Sequence, residues 1–381
     1  MSRRKIAAIL LGIIGIAGIL GAVFFYFYLD SPSTPLQSSY IRVYVNSTIY
    51  SEIEPELSQY ESDLKAQGYY VDTIKWSDTN VTELRNNLTY YYNHYDNLSM
   101  RLFGAVLIGN MPYAMARDTS MTYPDYPIDL YLMDLDGMWN DENGNNLFDY
   151  GSEPFGDNLT EIFIGRINPN PLNNMNNVTA FQKYFRRNHE YRNGTLSRPH
   201  SALLYIDDSW SSLTSAWANA FTAYTNVTIV STNSITNRTD YLWRYTQIYE
   251  WVHLFAHSDY TRHYFNWPYG SMEYVYNTDI LNNHTKGLFY NLYCCYACNY
   301  IQPNNLGTQY LFSNTTLTIL GSARSGGLDL YEPFYDSLKE GKVIGEAFRL
   351  WFHNPEIDTI QNKRRDISGT TILGDPLLCI V

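Results

Sequence analysis

The sequence predicts an α/β fold in which a mostly parallel β-sheet carries helices on both faces. Short apolar runs recur along the chain, and their near-continuous hydrophobicity is typical of strands that are buried on both faces. Amphipathic segments with helical spacing separate several of these runs, as expected for crossover helices between parallel strands. Hydrophobic residues make up 45% of the 381 residues, which is enough for a large core.

The expected strands and helices follow one another from residue 40 to the C-terminal residues. The strands are 40–45, 69–76, 103–109, 161–167, 201–207, 227–231, 250–257, 287–294, 317–323 and 370–375. The clearest helices are 53–67, 174–191 and 341–352. We expect one domain over residues 40–381, with possible lobes 40–195 and 196–381 that meet at the segment 193–199.

The N-terminal residues predict a membrane anchor. Residues 1–5 carry Arg3, Arg4 and Lys5, and the following run 6–29 has no charge and is long enough to span a hydrocarbon core of about 30 Å. The cationic tail should stay in the cytoplasm and place the rest outside, after a Pro/Ser linker at 30–39. A cleaved signal peptide, and hence a secreted protein, is the alternative.

N-glycosylation sequons agree with an extracytoplasmic location, although an Asn-rich and Thr-rich chain also produces some by chance. The acceptor residues are Asn46, Asn80, Asn87, Asn97, Asn158, Asn177, Asn193, Asn226, Asn237, Asn283 and Asn314.

Charge and motifs exclude some partners. The net charge is −12, so the chain is a poor candidate for binding a nucleic-acid backbone. The run GSARSGG at 321–327 lacks the Lys–Thr/Ser pair of a phosphate-binding P-loop, and we expect no organic cofactor. We expect it to form a wall of a cleft, where Arg324 either pairs with an acidic substrate group or is solvated.

Candidate catalytic residues follow the ends of the expected strands, where ligands of parallel sheets bind. His257 ends the run 250–257, and Cys295 directly follows the run 287–294. Adjacent parallel strands would bring the two side chains to one edge, where an imidazole can take the proton of a nucleophilic thiol. On spacing alone, both residues could equally be ordinary core residues.

An ordered set of motifs resembles the gingipain family of caspase-like cysteine peptidases. The motifs are VLIGNMPYA (106–114), PIDLYLMDLDGMWND (127–141), EIFIGRI (161–167), HLFAHS (253–258), NLYCCYACNY (291–300), ILGSARSGG (319–327), GEAFRLWF (345–352) and ILGDPLL (372–378). The resemblance implies a caspase-like α/β/α sandwich that hydrolyses peptide bonds of polypeptide substrates.

The same resemblance implies roles for individual residues. Cys295 would be the nucleophile and His257 the general base, while Cys294 fills the small position before the nucleophile. A carboxylate from an upstream strand end would orient His257; Asp207 and Asp208 both match, and Asp208 is preferred, although the pair could also be a turn or helix cap. In the family the residue after the histidine is usually glycine, but here it is Ser258. Serine lacks the conformational freedom of glycine, which puts the local backbone geometry in doubt.

A run of oxygen ligands predicts a structural calcium loop. Its candidate ligands are Asp134, Asp136, Asp141, Asn143, Asn145 and Asp149. The spacing departs from an EF-hand, because Asn146 replaces the expected glycine and Ser152 replaces the bidentate glutamate. A plain acidic turn is the alternative.

Three other interpretations compete with catalysis. His253, His257, Cys295 and Cys298 could together bind zinc tetrahedrally. Cys295 and Cys298 could instead form a disulfide in an oxidising compartment. Finally, the chain could be a surface glycoprotein that keeps the peptidase fold without activity.

Overall fold

Strands separated by crossover helices run through almost the whole of the described chain. The protein is represented by a computed structural model, whose described residues are 38–95, 100–121, 123–139, 141, 147–149, 159–232, 234–266, 272–359 and 366–380. In chain order the strands are β1 (Ser38–Asn46), β2 (Tyr70–Trp76), β3 (Met100–Ile108), β4 (Ala114–Arg117), β5 (Asp125–Ile128), β6 (Phe148–Asp149), β7 (Phe163–Ile167), β8 (Ala202–Ile206), β9 (Val227–Val230), β10 (Trp251–Phe255), β11 (His257–Asp259), β12 (Arg262–Phe265), β13 (Glu273–Tyr276), β14 (Phe289–Tyr293), β15 (Thr318–Ser322) and β16 (Thr370–Gly374).

The main sheet has ten strands among the described residues, in the order β2-β1-β3-β7-β16-β15-β14-β10-β8-β9. All ten correspond to apolar runs that the sequence analysis expected. Two three-stranded sheets accompany it, β11-β12-β13 and β5-β4-β6, and neither was predicted from the sequence.

Strand direction reverses once among the pairs that the structure defines. The pairs β8–β9, β8–β10, β10–β14 and β14–β15 are parallel, as are β7–β16 and β3–β7, whereas β15 and β16 are antiparallel. The expectation of a mostly parallel sheet is confirmed. Because of the reversal, the carboxyl ends of β8, β10 and β14 lie at the edge opposite to those of β3 and β7.

Helices cover both faces of the main sheet. They are α1 (Glu54–Ala66), α2 (Val81–Tyr95), α3 (Leu130–Met133), α4 (Asn177–Arg192), α5 (Thr214–Asn219), α6 (Arg238–Tyr245), α7 (Asn277–Asn282), α8 (Leu306–Leu311), α9 (Glu332–Lys339), α10 (Ile344–Phe352) and α11 (Pro355–Thr359), and 3-10 turns span Tyr50–Glu52 and Asp208–Leu213. One core cluster contains side chains of α2, α3, α9 and α10, and the other contains side chains of α1, α4, α6, α7 and α8. The chain therefore forms the expected three layers.

Local sequence explains where the predicted helices begin and end. The N-terminal turn of α1 contains a proline and two glutamates, and its last turn contains Lys65, as favoured by the helix dipole. The side chain of Asn176 caps α4 by accepting a 3.0 Å hydrogen bond from the backbone N–H of Thr179. Both helices lie within three residues of their predicted bounds.

The N-terminal predictions fall on residues outside the described part of the chain. Within that part no helix combines the length and the apolar character that crossing a membrane requires. The tail 1–5, the run 6–29 and most of the linker 30–39 precede the first described residue. The possible lobe boundary lies between α4 and β8. Strand β16, which follows this boundary in the chain, pairs with β7, which precedes it.

Candidate active site

Three candidate catalytic residues follow the same row of the main sheet. Phe255 of β10 pairs with Ile206 of β8 on one side and with Tyr293 of β14 on the other. All three strands end at this row, and the residues two positions beyond it are Asp208, His257 and Cys295. Parallel strands carry all three to the same edge of the sheet, as expected from the sequence.

The loop after β15 holds the thiol of Cys295. The Cys295 Sγ lies 3.3 Å from the Ser325 hydroxyl oxygen, and the backbone N–H of Gly326 donates to the same sulfur at 3.4 Å. Gly326 has φ +116°, a conformation that side-chain-bearing residues rarely adopt. The GSARSGG run therefore contacts the thiol of Cys295 directly, and an N–H donor in this position can stabilise negative charge on a sulfur atom.

His257 is half-buried at the start of β11. The indole ring of Trp210 packs against its imidazole, with the ring centroids 4.2 Å apart. Burial lowers the pKa of His257 below its usual 6.5, while the negative charge of Asp208 acts in the opposite direction. A neutral imidazole at physiological pH can accept a proton, as a general base must.

The two adjacent aspartates have different environments. Asp207 is fully buried, and its carboxylate accepts hydrogen bonds from the Asn266 backbone N–H and the Ser209 hydroxyl, each at 3.1 Å. Burial raises the pKa of Asp207 from 3.8 to about 6. Asp208 begins the 3-10 turn and acts on His257 through its charge. The preference for Asp208 over Asp207 as the residue that orients His257 stays a prediction.

Ser258 does not require the conformational freedom of glycine. Among the described residues, positive φ values outside glycine occur at Asn266, Tyr296, Asn304 and Leu330, and Ser258 instead lies in β11. Its hydroxyl donates a 2.5 Å hydrogen bond to the carbonyl oxygen of Cys295. The doubt about backbone geometry at this position is therefore removed.

The chain turns sharply just after Cys295. Tyr296 has φ +59°, which is strained for a bulky residue, and its N–H donates to the Arg324 carbonyl oxygen at 2.8 Å. The N–H of Cys298 donates to the Ser322 carbonyl oxygen at 3.0 Å. The backbone N–H of Cys295 has no acceptor among the described residues, so it can serve an oxyanion. No motif in the sequence predicted this strained backbone conformation at Tyr296.

The other cysteines of the cluster are core residues. Cys294 is buried, its thiol donates to the Leu254 carbonyl oxygen at 3.7 Å, and burial raises its pKa. Cys298 is also buried, and its sulfur fills the space that a Cβ on Gly307 or Gly321 would occupy. All four cysteines of the chain are free, so this structure contains no disulfide between Cys295 and Cys298.

The four proposed zinc ligands are not brought together. The chain leaves the main sheet at Ala256, so His253 and His257 belong to different strands. His253 is buried, stacks on Phe255 and is hydrogen-bonded through Nδ1 to the Tyr335 hydroxyl at 3.0 Å. In the described part of the chain, His253, His257, Cys295 and Cys298 form no group close enough to share an ion, so the zinc interpretation is wrong.

Arg324 is neither solvated nor available to substrate. Its guanidinium is 1% exposed and forms ion pairs with Asp118 at 2.7 Å and with Asp366 at 3.5 Å. It also lies over the ring of Tyr126, 5.5 Å from the centroid. Both sequence-based expectations for this residue are wrong, because its main partner lies far away along the chain.

Part of the predicted calcium loop contributes to a group of three neighbouring carboxylates. Asp134, Asp136 and Glu161 have oxygens within 4.8 Å of one another. The N–H of Gly137 donates to Asp134 at 2.6 Å, and the N–H of Leu135 donates to Glu161 at 2.5 Å. Burial, reinforced by the charges of Glu161 and Asp136, raises the pKa of Asp134 to about 7.

The other predicted ligands are not part of this group. Asp141 is described but lies outside it. Asn143, Asn145 and the side chain of Asp149 lie outside the described residues. Glu161 was not predicted as a ligand because it precedes β7, well beyond the acidic loop. Its position as an acidic residue at the start of an apolar strand was the one sign in the sequence that could have indicated it.

Comparison with known proteins identifies the family. The sequence pattern of peptidase family C25 matches residues 34–381. The chain belongs to peptidase family C25. As a member of this family, which is the gingipain family, it is a cysteine-type peptidase, and the expectation from the motifs is confirmed.

Solved structures share the C25 fold at low sequence identity. A structure described as a protease has a TM-score of 0.65 at 15% identity, covering 91% of this chain and 79% of that one. The Arg-specific cysteine proteinase gingipain R (RgpB) has a TM-score of 0.61 at 12% identity, with coverages of 92% and 80%. The complex of the Porphyromonas gingivalis RgpB pro- and mature domains gives 0.60 at 12%, with coverages of 90% and 79%. No curated protein matches the chain significantly.

Proposed function

We propose that the chain is an extracytoplasmic endopeptidase that cleaves peptide bonds through Cys295 and His257. The observation that carries this proposal is that Asp208, His257 and Cys295 each follow, by two positions, the same row of three paired strands. Three side chains that follow separate strands would converge at one edge of the sheet if they act on the same peptide bond. The thiol is half-buried and already receives a hydrogen bond from Gly326, as a reactive sulfur requires.

The reaction would proceed through a thioester. His257 takes the proton of the Cys295 thiol as sulfur attacks the carbonyl carbon, and the Cys295 N–H stabilises the resulting oxyanion. His257 then donates that proton to the leaving amine as the C–N bond breaks. Water, deprotonated by the same imidazole, hydrolyses the thioester and restores the thiol. Asp208 would orient the imidazole and stabilise its charged form.

Calcium would support the fold rather than the chemistry. Asp134 and Glu161 are each held by a backbone N–H, and with Asp136 they offer oxygen ligands of the type that Ca²⁺ prefers. Three carboxylates so close together repel one another unless a cation or protons compensate their charge. This arrangement supports a structural cation at the start of the predicted loop.

An extracytoplasmic location is supported by the anchor-like run 6–29 and by accessible sequons. Asn80, Asn193, Asn226 and Asn314 have exposed side chains in the structure, so an oligosaccharide could be attached without unfolding the domain. Expression in a eukaryotic secretory system, followed by glycosidase digestion and mass measurement, tests the sequons directly.

A screen of fluorogenic peptides that differ in the residue before the scissile bond tests the proposed activity. The wild-type chain should hydrolyse at least one peptide, and Cys295→Ala and His257→Ala should lose about 10²-fold or more. Repeating the screen with a calcium chelator shows whether the cation supports the active fold. Failure of the wild type to turn over any peptide or react with thiol reagents would favour the inactive surface glycoprotein.

A further inference from the structure

A polar aromatic surface continues from the catalytic histidine onto the small sheet β11-β12-β13. In its antiparallel pairing, His257 lies opposite Tyr264, and Tyr264 lies opposite Tyr274. The next row joins Asp259 to Arg262 and Arg262 to Tyr276. Directly opposed residues of antiparallel strands point to the same face, so these side chains share the face that carries His257. We call Asp259, Arg262, Tyr264, Tyr274 and Tyr276 the tyrosine face.

Burial distinguishes the two faces of the small sheet. His263, Phe265 and Val275 alternate with the residues of the tyrosine face, and all three are fully buried in the core. The tyrosine face is partly accessible, and Tyr276 is 41% exposed. One side of the small sheet therefore completes the core, while the other continues the surface next to the catalytic histidine.

The rings of the tyrosine face form a continuous and pre-organised surface. The centroids of Tyr264 and Tyr274 are 5.4 Å apart, and those of Tyr274 and Tyr276 are 5.9 Å apart. The Arg262 guanidinium lies 5.1 Å from the Tyr274 centroid and 5.2 Å from the Tyr264 centroid.

Hydrogen bonds fix the charged members of this surface. Asp259 accepts a 3.1 Å hydrogen bond from Arg262 and a 2.5 Å hydrogen bond from the Tyr264 hydroxyl. The charge of Arg262 is thus balanced within the tyrosine face, which favours rings over charged groups as ligands.

Catalysis decides which part of a substrate reaches this surface. His257 must protonate the leaving amine, so the nitrogen of the scissile bond lies within hydrogen-bond reach of the imidazole. The residues that follow the scissile bond extend from this point. Neighbouring strands are about 4.8 Å apart, which places Tyr274 roughly 10 Å from His257 along the row. An extended peptide covers that distance in about three residues.

We infer that the tyrosine face is the binding site for the leaving-group side of the polypeptide substrate. It selects an aromatic side chain at the second or third residue after the scissile bond. Aromatic pairs gain from edge-to-face and offset contacts beyond simple burial, and the fixed rings lose little entropy on binding. This inference rests on the proposed peptidase activity of Cys295 and His257.

Two substrate series separate the inference from the activity itself. Both carry the same optimised residues before the scissile bond. In one series the leaving group is aminomethylcoumarin, and in the other it is a quenched peptide with Phe, Ala or Asp at the second and third positions. The wild type should cleave the Phe peptides about tenfold more efficiently than the Ala peptides.

Tyr274 is the residue to change, because its side chain has no hydrogen bond in the described structure and contributes only its ring. Tyr274→Ala should lose the preference for Phe but still hydrolyse the coumarin substrate, which has no residue at the second or third position and so shows that the variant is folded. Tyr274→Phe should keep the preference, as should Tyr70→Ala, which removes an exposed tyrosine from the distant edge strand β2. A full preference in Tyr274→Ala would overturn the inference. Absence of coumarin turnover in the wild type would overturn the peptidase proposal and the inference with it.

Discussion

The Ser258 hydroxyl donates a 2.5 Å hydrogen bond to the carbonyl oxygen of Cys295, and so joins the residue after His257 to the proposed nucleophile. This bond fixes the backbone of Cys295, whose N–H has no acceptor in the described part of the chain.

We predict that Ser258→Ala lowers kcat/KM by roughly threefold to tenfold, because one hydrogen bond is worth about 1 kcal/mol. Ser258→Gly should be no better than Ser258→Ala, since Ser258 has no positive φ that glycine would relieve. Steady-state kinetics on one fluorogenic peptide measures both variants. A gain of activity in Ser258→Gly would show that the family's usual glycine is needed here.

Gly326 should control the reactivity of the Cys295 thiol. At φ +116°, alanine is strained by about 1–3 kcal/mol, and any relaxation moves the N–H away from sulfur. We expect Gly326→Ala to slow alkylation of Cys295 by iodoacetamide, measured by mass spectrometry of the modified peptide. Gly194→Ala is the matched control, because Gly194 also has positive φ (+80°) but lies in open space. Equal alkylation rates in the two variants would contradict this role.

Asp208 should set the acid limb of the pH–rate profile. Its negative charge raises the pKa of His257 against the lowering caused by burial. Removing the charge lowers that pKa further, so the imidazole stays neutral to lower pH. We predict that Asp208→Asn moves the acid limb of kcat/KM to lower pH and reduces kcat. Asp78→Asn, an exposed aspartate beyond β2, should leave the profile unchanged. A shift to higher pH in Asp208→Asn would contradict the sign of this coupling.

Calcium should stabilise the fold through Asp134 and Glu161. A ligand present at 100 times its Kd stabilises the native state by about 2.7 kcal/mol, so added CaCl₂ should raise the Tm. The increase should disappear in Asp134→Asn and Glu161→Gln, measured by differential scanning fluorimetry against a chelated sample. Glu83→Gln, on the exposed surface of α2, should respond like the wild type. A calcium response that persists in both ligand variants would place the cation elsewhere.

Apolar strands were the most predictable part of the molecule. Every strand of the main sheet coincides with an expected run, because strands that are buried on both faces need near-continuous hydrophobicity. The small sheet β11-β12-β13 could not be separated from β10 in the sequence. Only Ala256 lies between β10 and β11, and the run 250–257 includes the end of one and the start of the other.

Residues that depend on long-range partners were not predictable. Arg324 looked like a loop residue, but it is buried because Asp118, 206 positions earlier in the chain, neutralises it. The zinc hypothesis failed for a related reason, since it assumed that His253 and His257 share one strand. Residues at strand ends were easier: the positions of His257 and Cys295 at one edge follow from parallel pairing alone.

Covalent labelling with a peptide-derived acyloxymethyl ketone tests the central claim most directly. We predict that one equivalent of the reagent modifies Cys295, identified by peptide mass spectrometry, and that turnover disappears in proportion. Cys295→Ala should show neither labelling nor turnover, whereas Cys298→Ala, which removes a buried thiol, should keep both. Turnover by Cys295→Ala, or labelling of the wild type at another cysteine, would contradict the assignment of Cys295 as the nucleophile.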